Sequence, residues 1–115
     1  MNKQQELVLE LISLARNNRL NGKQIHKDLI KNQHLWISVY GFFGGLPVVT
    51  LRDMYDGYFH IDSIYIMCRN VHVTELETII KHWNPHDINV TNTDFVARIN
   101  DEWEHNLATI LVWWD

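Results

Sequence analysis

The sequence predicts an α+β domain, with an N-terminal helical hairpin plus one or two further helices packed on a mainly antiparallel four- to five-stranded sheet. Three observations carry this. Residues 4–33 place apolar side chains at helical spacing in two runs parted by a short polar link. Leu35 to Cys68 reads LWISVYGFFGGLPVVTLRDMYDGYFHIDSIYIMC, three β-branched and aromatic runs broken by Gly44-Gly45 and Asp56-Gly57, the form of an antiparallel meander. Leu107 to Trp114 is apolar on both faces, as an interior strand would be.

The first helix is expected over residues 4–18, where Leu7, Val8, Leu11, Ile12, Leu14 and Ala15 share one stripe. A short link, Asn17–Leu20, leads to a second helix over 22–33. Its start is well marked: Asn21 as N-cap, Gln24 closing a capping box, and Leu20 with Ile25 as a hydrophobic staple. Its apolar stripe, Ile25, Leu29 and Ile30, is narrow. Lys23, Lys27 and Lys31 occupy another face.

The meander begins with Leu35 to Phe42, apolar on both faces and so expected to be covered on both. Pro47 cannot donate a ladder hydrogen bond, which places Leu46–Leu51 at an edge or a bulge. Asp56-Gly57 reads as a type I′ hairpin turn, pairing Tyr55 with Tyr58, Met54 with Phe59 and Asp53 with His60. The third strand alternates through Phe59 and Ile61, then turns apolar on both faces from Ile64 to Cys68. A further helix spans 75–83, with Thr74 as N-cap, Glu77 closing its capping box, and Leu76, Ile79, Ile80 and Trp83 on one side. Pro85 ends it. Ile88–Thr91 fits a short strand. Phe95, Val96, Ile99 and Trp103 fit a helix from about Asp94. The rival is a strand Phe95–Ile99 with a turn at Asn100-Asp101, because Asp101, Glu102 and Glu104 oppose the dipole at a helix C-terminus.

The chain has 115 residues, 46% hydrophobic and 21% charged, which suits one domain over 1–115 with a real core. No apolar run reaches the ~18 residues of a membrane span, and the N-terminal stretch lacks the form of a signal peptide. A lone cysteine, Cys68, in an apolar run is expected to be a buried, inert thiol and fits a reducing, cytoplasmic setting. The net charge of -4 is unevenly spread: residues 1–34 carry six Lys/Arg and three Asp/Glu, residues 35–115 four and eleven.

No motif fixes a chemistry. The phrase RLNGKQIHKDL, residues 19–29, resembles the second helix of a winged-helix domain, which would imply DNA binding through Lys23, Lys27 and Lys31. Strand character from Leu35 leaves no third helix for recognition, and the chain is acidic, so nucleic acid is not the expected partner. His82 and His86 have a zinc-like spacing, but Pro85 lies between them and no cysteine cluster completes a site, so no metal or other cofactor is expected. His60 and Asp62, on one side of a strand, could orient an imidazole for acid–base work. They lack a phosphate loop, nucleophile elbow or paired glutamates, and no enzymatic activity is expected.

The pattern that carries most weight is Arg52 to Asp62, where aromatic rings and acids crowd a tight turn. Asp53, Tyr55, Asp56, Tyr58, His60 and Asp62 form a candidate contact surface of aromatic anchors within an acidic rim. Asp101, Glu102, Trp103 and Glu104 repeat that chemistry. Sequence therefore favours a small non-catalytic protein-binding module, in its most specific form an inhibitor of immunity or antitoxin type that covers the basic site of a toxin or nuclease-like protein.

Overall fold

The computed structural model describes every residue except Asn18, Tyr58, 93–96 and 100–101, and gives backbone alone for Ala97, Ile99 and Trp103. It is α+β. Helix α1 (Lys3–Ser13) starts where the Asn2 side chain accepts the Gln5 N–H, 2.9 Å. It ends five residues earlier than its apolar stripe suggests. Arg16–Asn17 and Leu20–Asn21 form a small antiparallel pair, β1 and β2, and the Gly22 N–H donates to the Ala15 carbonyl. The reason is steric as well as local. The turn formers after Arg16 disfavour helix, and Gly22 sits so close that a Cβ there would lie 2.1 Å from the Ile12 carbonyl.

Helix α2 (Gly22–Lys31) opens as predicted. The Asn21 side chain accepts the Gln24 N–H at 3.2 Å, and Leu20 and Ile25 are both buried. Ile30, expected on its stripe, is exposed. A short 3-10 turn (Gln33–Leu35) leads into β3 (Ser38–Phe42).

The meander is overturned at its second strand. Residues Pro47–Tyr55 form helix α3, with Pro47 in its first turn, where a fixed φ and a missing N–H suit a helix start. The Asp56 and Gly57 N–H groups donate back to the Arg52 and Met54 carbonyls, and Gly57 takes φ 91°. A glycine at positive φ after Asp serves a hairpin or a helix stop equally well. Here it stops α3.

Strand β4 (Ser63–Arg69) pairs antiparallel with β3, and a 3-10 turn (Asn70–His72) leads to α4 (Val73–Lys81). That helix starts at Val73, so Thr74 lies inside its first turn and the expected capping box does not form. Leu76, Ile80 and Trp83 are buried as expected. Strand β5 (Asp87–Asn92) follows. In place of the predicted helix from about Asp94, the described residues form two short paired strands, β6 (Ala97–Ile99) and β7 (Glu102–Glu104). Phe95, Asn100 and Asp101 fall outside the described residues. Strand β8 (Leu107–Trp113) lies inside the sheet, whose order is β3-β4-β8-β5 with every neighbour antiparallel.

Ile64, Ile66 and Cys68 face Val112, Ile110 and Ala108 in register, all fully buried. Leu9, Ile12, Ile25, Leu29, Leu76 and Ile80 from the helices close over them in one core. The opposite sheet face is open. Tyr40 and Tyr65 are in register with each other and with Leu111, and Tyr40, Phe42 and Tyr65 are exposed, so β3 is covered on one side only. Three buried indoles tie elements together. Trp36 donates to the Leu29 carbonyl (2.8 Å), Trp83 to Asp28 (2.8 Å) and Trp114 to the Trp83 carbonyl (3.1 Å). At the end of the last strand Trp114 enters the core, whereas Trp113 is half-buried. No described helix is long and apolar enough to cross a membrane.

Burial in the core pushes the Cys68 thiol up to about 11. Below about pH 9 the thiol is protonated in both folded and unfolded chains. Between about 9 and 11 only the unfolded chain ionises it, so stability falls across that window, by up to about 3 kcal/mol. Urea denaturation at stepped pH should show a steeper alkaline loss for the native chain than for Cys68→Ala. Equal slopes would contradict the assignment.

Candidate functional site

Helix α3 is turned inside out. A helix on a folded domain ordinarily buries its apolar stripe and shows its charges. Here Asp53 is the one α3 residue that is buried, at 1% exposure. Leu46 (71%), Val48 (70%), Leu51 (69%) and Tyr55 (92%) face solvent, with Met54 beside them. The apolar residues repeat at helical spacing on the wrong side for packing.

A polar anchor holds this orientation. Asp53 Oδ2 lies 2.7 Å from His60 Nδ1, and Asp53 Oδ1 accepts from Arg52 Nε and Nη2, each at 3.0 Å. His60 is mostly buried, and the Phe43 ring meets it edge-on at 4.3 Å between centroids. A carboxylate this enclosed is tolerable only with such partners. The hairpin pairing expected from Asp56-Gly57 does not exist, yet its Asp53–His60 contact does. The chain after α3 folds back on the helix and brings the two together.

Beside the anchor lies a cleft of about 370 Å³, lined by Tyr40, Phe42 and Phe43 from β3 and its exit, Pro47, Thr50 and Leu51 from α3, and Phe59 to Ile61. It joins the exposed face of α3 to the open rings of the sheet. Apolar surface that stays continuous across several elements is unusual on a chain that needs no partner.

The predicted site residues divide. Tyr55 is the last residue of α3 and the most exposed large apolar side chain described, and Asp56 is its exposed C-cap. A carboxylate at a helix C-terminus adds to the negative end of the dipole, and Arg52 lies in the same last turn. Asp53 is not a surface acid, because the fold uses it as the anchor. Asp62 is half-buried and accepts from the Ser63 hydroxyl at 3.0 Å, so the pair proposed for His60 is made by Asp53 instead. Tyr58 and Asp101 lie outside the described residues. Glu102 is exposed on β7, whereas Glu104 binds Arg69 through both oxygens, at 2.6 and 3.0 Å. Arg69 ends β4 and Asp62 precedes its start, so the two acidic groups are about 20 Å apart along that strand and do not form one surface. Leu46, Val48 and Leu51, read from sequence as an edge strand, are site residues that sequence reasoning missed. Helical periodicity in 47–55 was the signal for them. His86 stacks edge-on against Trp113 at 4.7 Å, the place of one of the two histidines with zinc-like spacing.

Compared with protein-family models, with characterised proteins and with solved structures, the chain matches none.

The two aspartates near the α3 terminus should behave oppositely. Asp53→Ala removes a buried partner and should cost about 2–4 kcal/mol. Asp56→Ala should stay within about 0.5 kcal/mol of the native chain. Urea midpoints at neutral pH separate them, and a neutral Asp53→Ala would show that the anchor does not hold α3.

Proposed function

We propose that the chain is a small non-catalytic protein-binding module, in its most specific form an inhibitor of immunity or antitoxin type that covers the basic site of a toxin or nuclease-like protein. The observation that carries this reading is the outward apolar side of α3, held in place by a buried carboxylate. Burying Asp53 while exposing Leu51 and Tyr55 works against the free domain on both counts. Contact with a partner reverses the second cost. Tyr55, Leu51 and Val48 are the anchors, and the ring-lined cleft beside them suits an inserted side chain.

The acidic part of the reading rests on Asp56 at the α3 terminus and on the excess of acids after residue 35. Such a rim speeds encounter with a basic partner and makes it sensitive to salt, while the apolar anchors set the lifetime of the complex. The distance of Glu102 and Glu104 from this corner narrows the surface to α3, the cleft and the neighbouring sheet face.

A second reading, a small enzyme, draws on one specific observation, the Asp53–His60 pair beside a cleft. A buried carboxylate that orients an imidazole is a common acid–base arrangement. In that reading His60→Phe abolishes turnover of a substrate, whereas the binding module needs His60 only to hold α3.

Immobilised native chain should capture a partner from the cell extract of its source. Leu51→Asp and Tyr55→Ala should each reduce that capture at least about ten-fold with an unchanged melting temperature. Asp56→Lys should slow association and flatten its salt dependence. Capture that survives Leu51→Asp and Tyr55→Ala together would remove α3 as the contact surface.

A further inference from the structure

The two edges of the sheet are finished differently. The Trp114 N–H donates to the Asp62 carbonyl and the Asn70 N–H to the Asn106 carbonyl. With the β4–β8 register, these bonds assign the even-numbered residues of β8 to β4 and its odd-numbered residues to β5. The partners of those odd positions are Asp87, Asn89 and Thr91. Ile88, Val90 and Asn92 therefore direct their backbone groups away from the sheet. In agreement, the Ile88 N–H turns instead to the Asp87 carboxylate, 2.9 Å.

At the other edge the same alternation turns Val39 outward from β3. There the Gln5 side chain takes the place of a strand: its Nε2 donates to the Val39 carbonyl at 2.9 Å and its Oε1 accepts the Val39 N–H at 3.0 Å. Helix α1 packs along β3 as well. Strand β5 has no strand on its outer side among the described residues. It also lacks the lysine or proline with which exposed edges are commonly blunted.

We infer that β5 pairs antiparallel with β5 of a second copy of this chain, about a two-fold axis at Val90, to give one continuous eight-stranded sheet. A two-fold antiparallel joint must set one residue against its own counterpart. Val90 is the centre of the outward triad, so it exchanges both bonds with itself, and Ile88 and Asn92 exchange theirs crosswise. The Ile88 N–H trades a carboxylate for a carbonyl.

The strand's chemistry suits a second copy as the occupant. Asp-Ile-Asn-Val-Thr-Asn holds a single charge, and the two-fold sets the two Asp87 carboxylates about 20 Å apart, so the self-pair brings no like charges together. Val90 is an exposed apolar side chain, on the same sheet face as the core residue Ile110, and the joint covers its flank. This interface uses none of α3, so it stands or falls apart from the function proposed above.

Sedimentation equilibrium of the full chain tests it. The mass should climb reversibly with concentration from 13.7 kDa toward twice that value. Val90→Pro removes an outward donor that bonds nothing inside the sheet and should return the chain to a single mass. Val90→Lys, folded by circular dichroism, should weaken association at least about ten-fold even where the proline variant does not fold. One-chain mass at every concentration overturns the inference. So does a dimer that persists in Val90→Lys, or one that is lost on Leu51→Asp, which would put the contact on α3.

Discussion

Across the two central strands Ile64 meets Val112, Ile66 meets Ile110 and Cys68 meets Ala108, and water reaches none of the six. That layer is the constraint from which the rest of the molecule follows. A four-stranded sheet can be covered on either face, and here α1, α2 and α4 all serve the same one. They do so through Leu9, Ile12, Ile25, Leu29, Leu76 and Ile80, while Leu7 and Leu11 of α1 and Ile30 of α2 stay exposed. The rings of Tyr40, Phe42 and Tyr65 alternate with the core positions and are left on the open side.

The indoles show how closely the covered face is specified. Trp83 reaches from the end of α4 to Asp28 on α2, and Trp114 reaches back to the Trp83 carbonyl. Large rings fill the seams between elements, and each N–H finds an acceptor, which is the condition for burying an indole at all. The C-terminal residues are thereby fixed to both helices, which sets where β8 must run.

Helix α3 is the exception to this economy. Its one buried residue is a carboxylate, set against His60 of the following segment and paired with Arg52 of the helix itself. Charged anchors are directional where apolar packing is not, so a single buried pair can fix which way a helix faces. Its consequence is an apolar surface presented in a set orientation, continuous with the cleft and the open rings. The sheet edges follow the same logic of incomplete closure: one is answered by the Gln5 amide and the other has no strand beside it among the described residues.

The sequence by itself determined whatever is decided within a few residues of the chain. The Asn21 cap and its staple, the buried side of α4, the burial of Cys68 and the interior position of β8 all follow from spacing and chemistry that no distant partner can alter. The exposure of Tyr55 and the proximity of Asp53 to His60 were legible too, although the hairpin expected to produce them is a helix. Only the tertiary structure decided the rest. Pro47 and Asp56-Gly57 satisfy strand and helix equally well, and the choice fell to helix because β4, arriving from later in the chain, takes the place beside β3 that the meander's second strand would have filled. Whether an apolar face is covered is likewise a property of what arrives opposite it. That is why Trp114 is core, Tyr40 is not, and the apolar side of α3 looks outward: local periodicity states that a face exists, and only long-range packing supplies, or withholds, its cover.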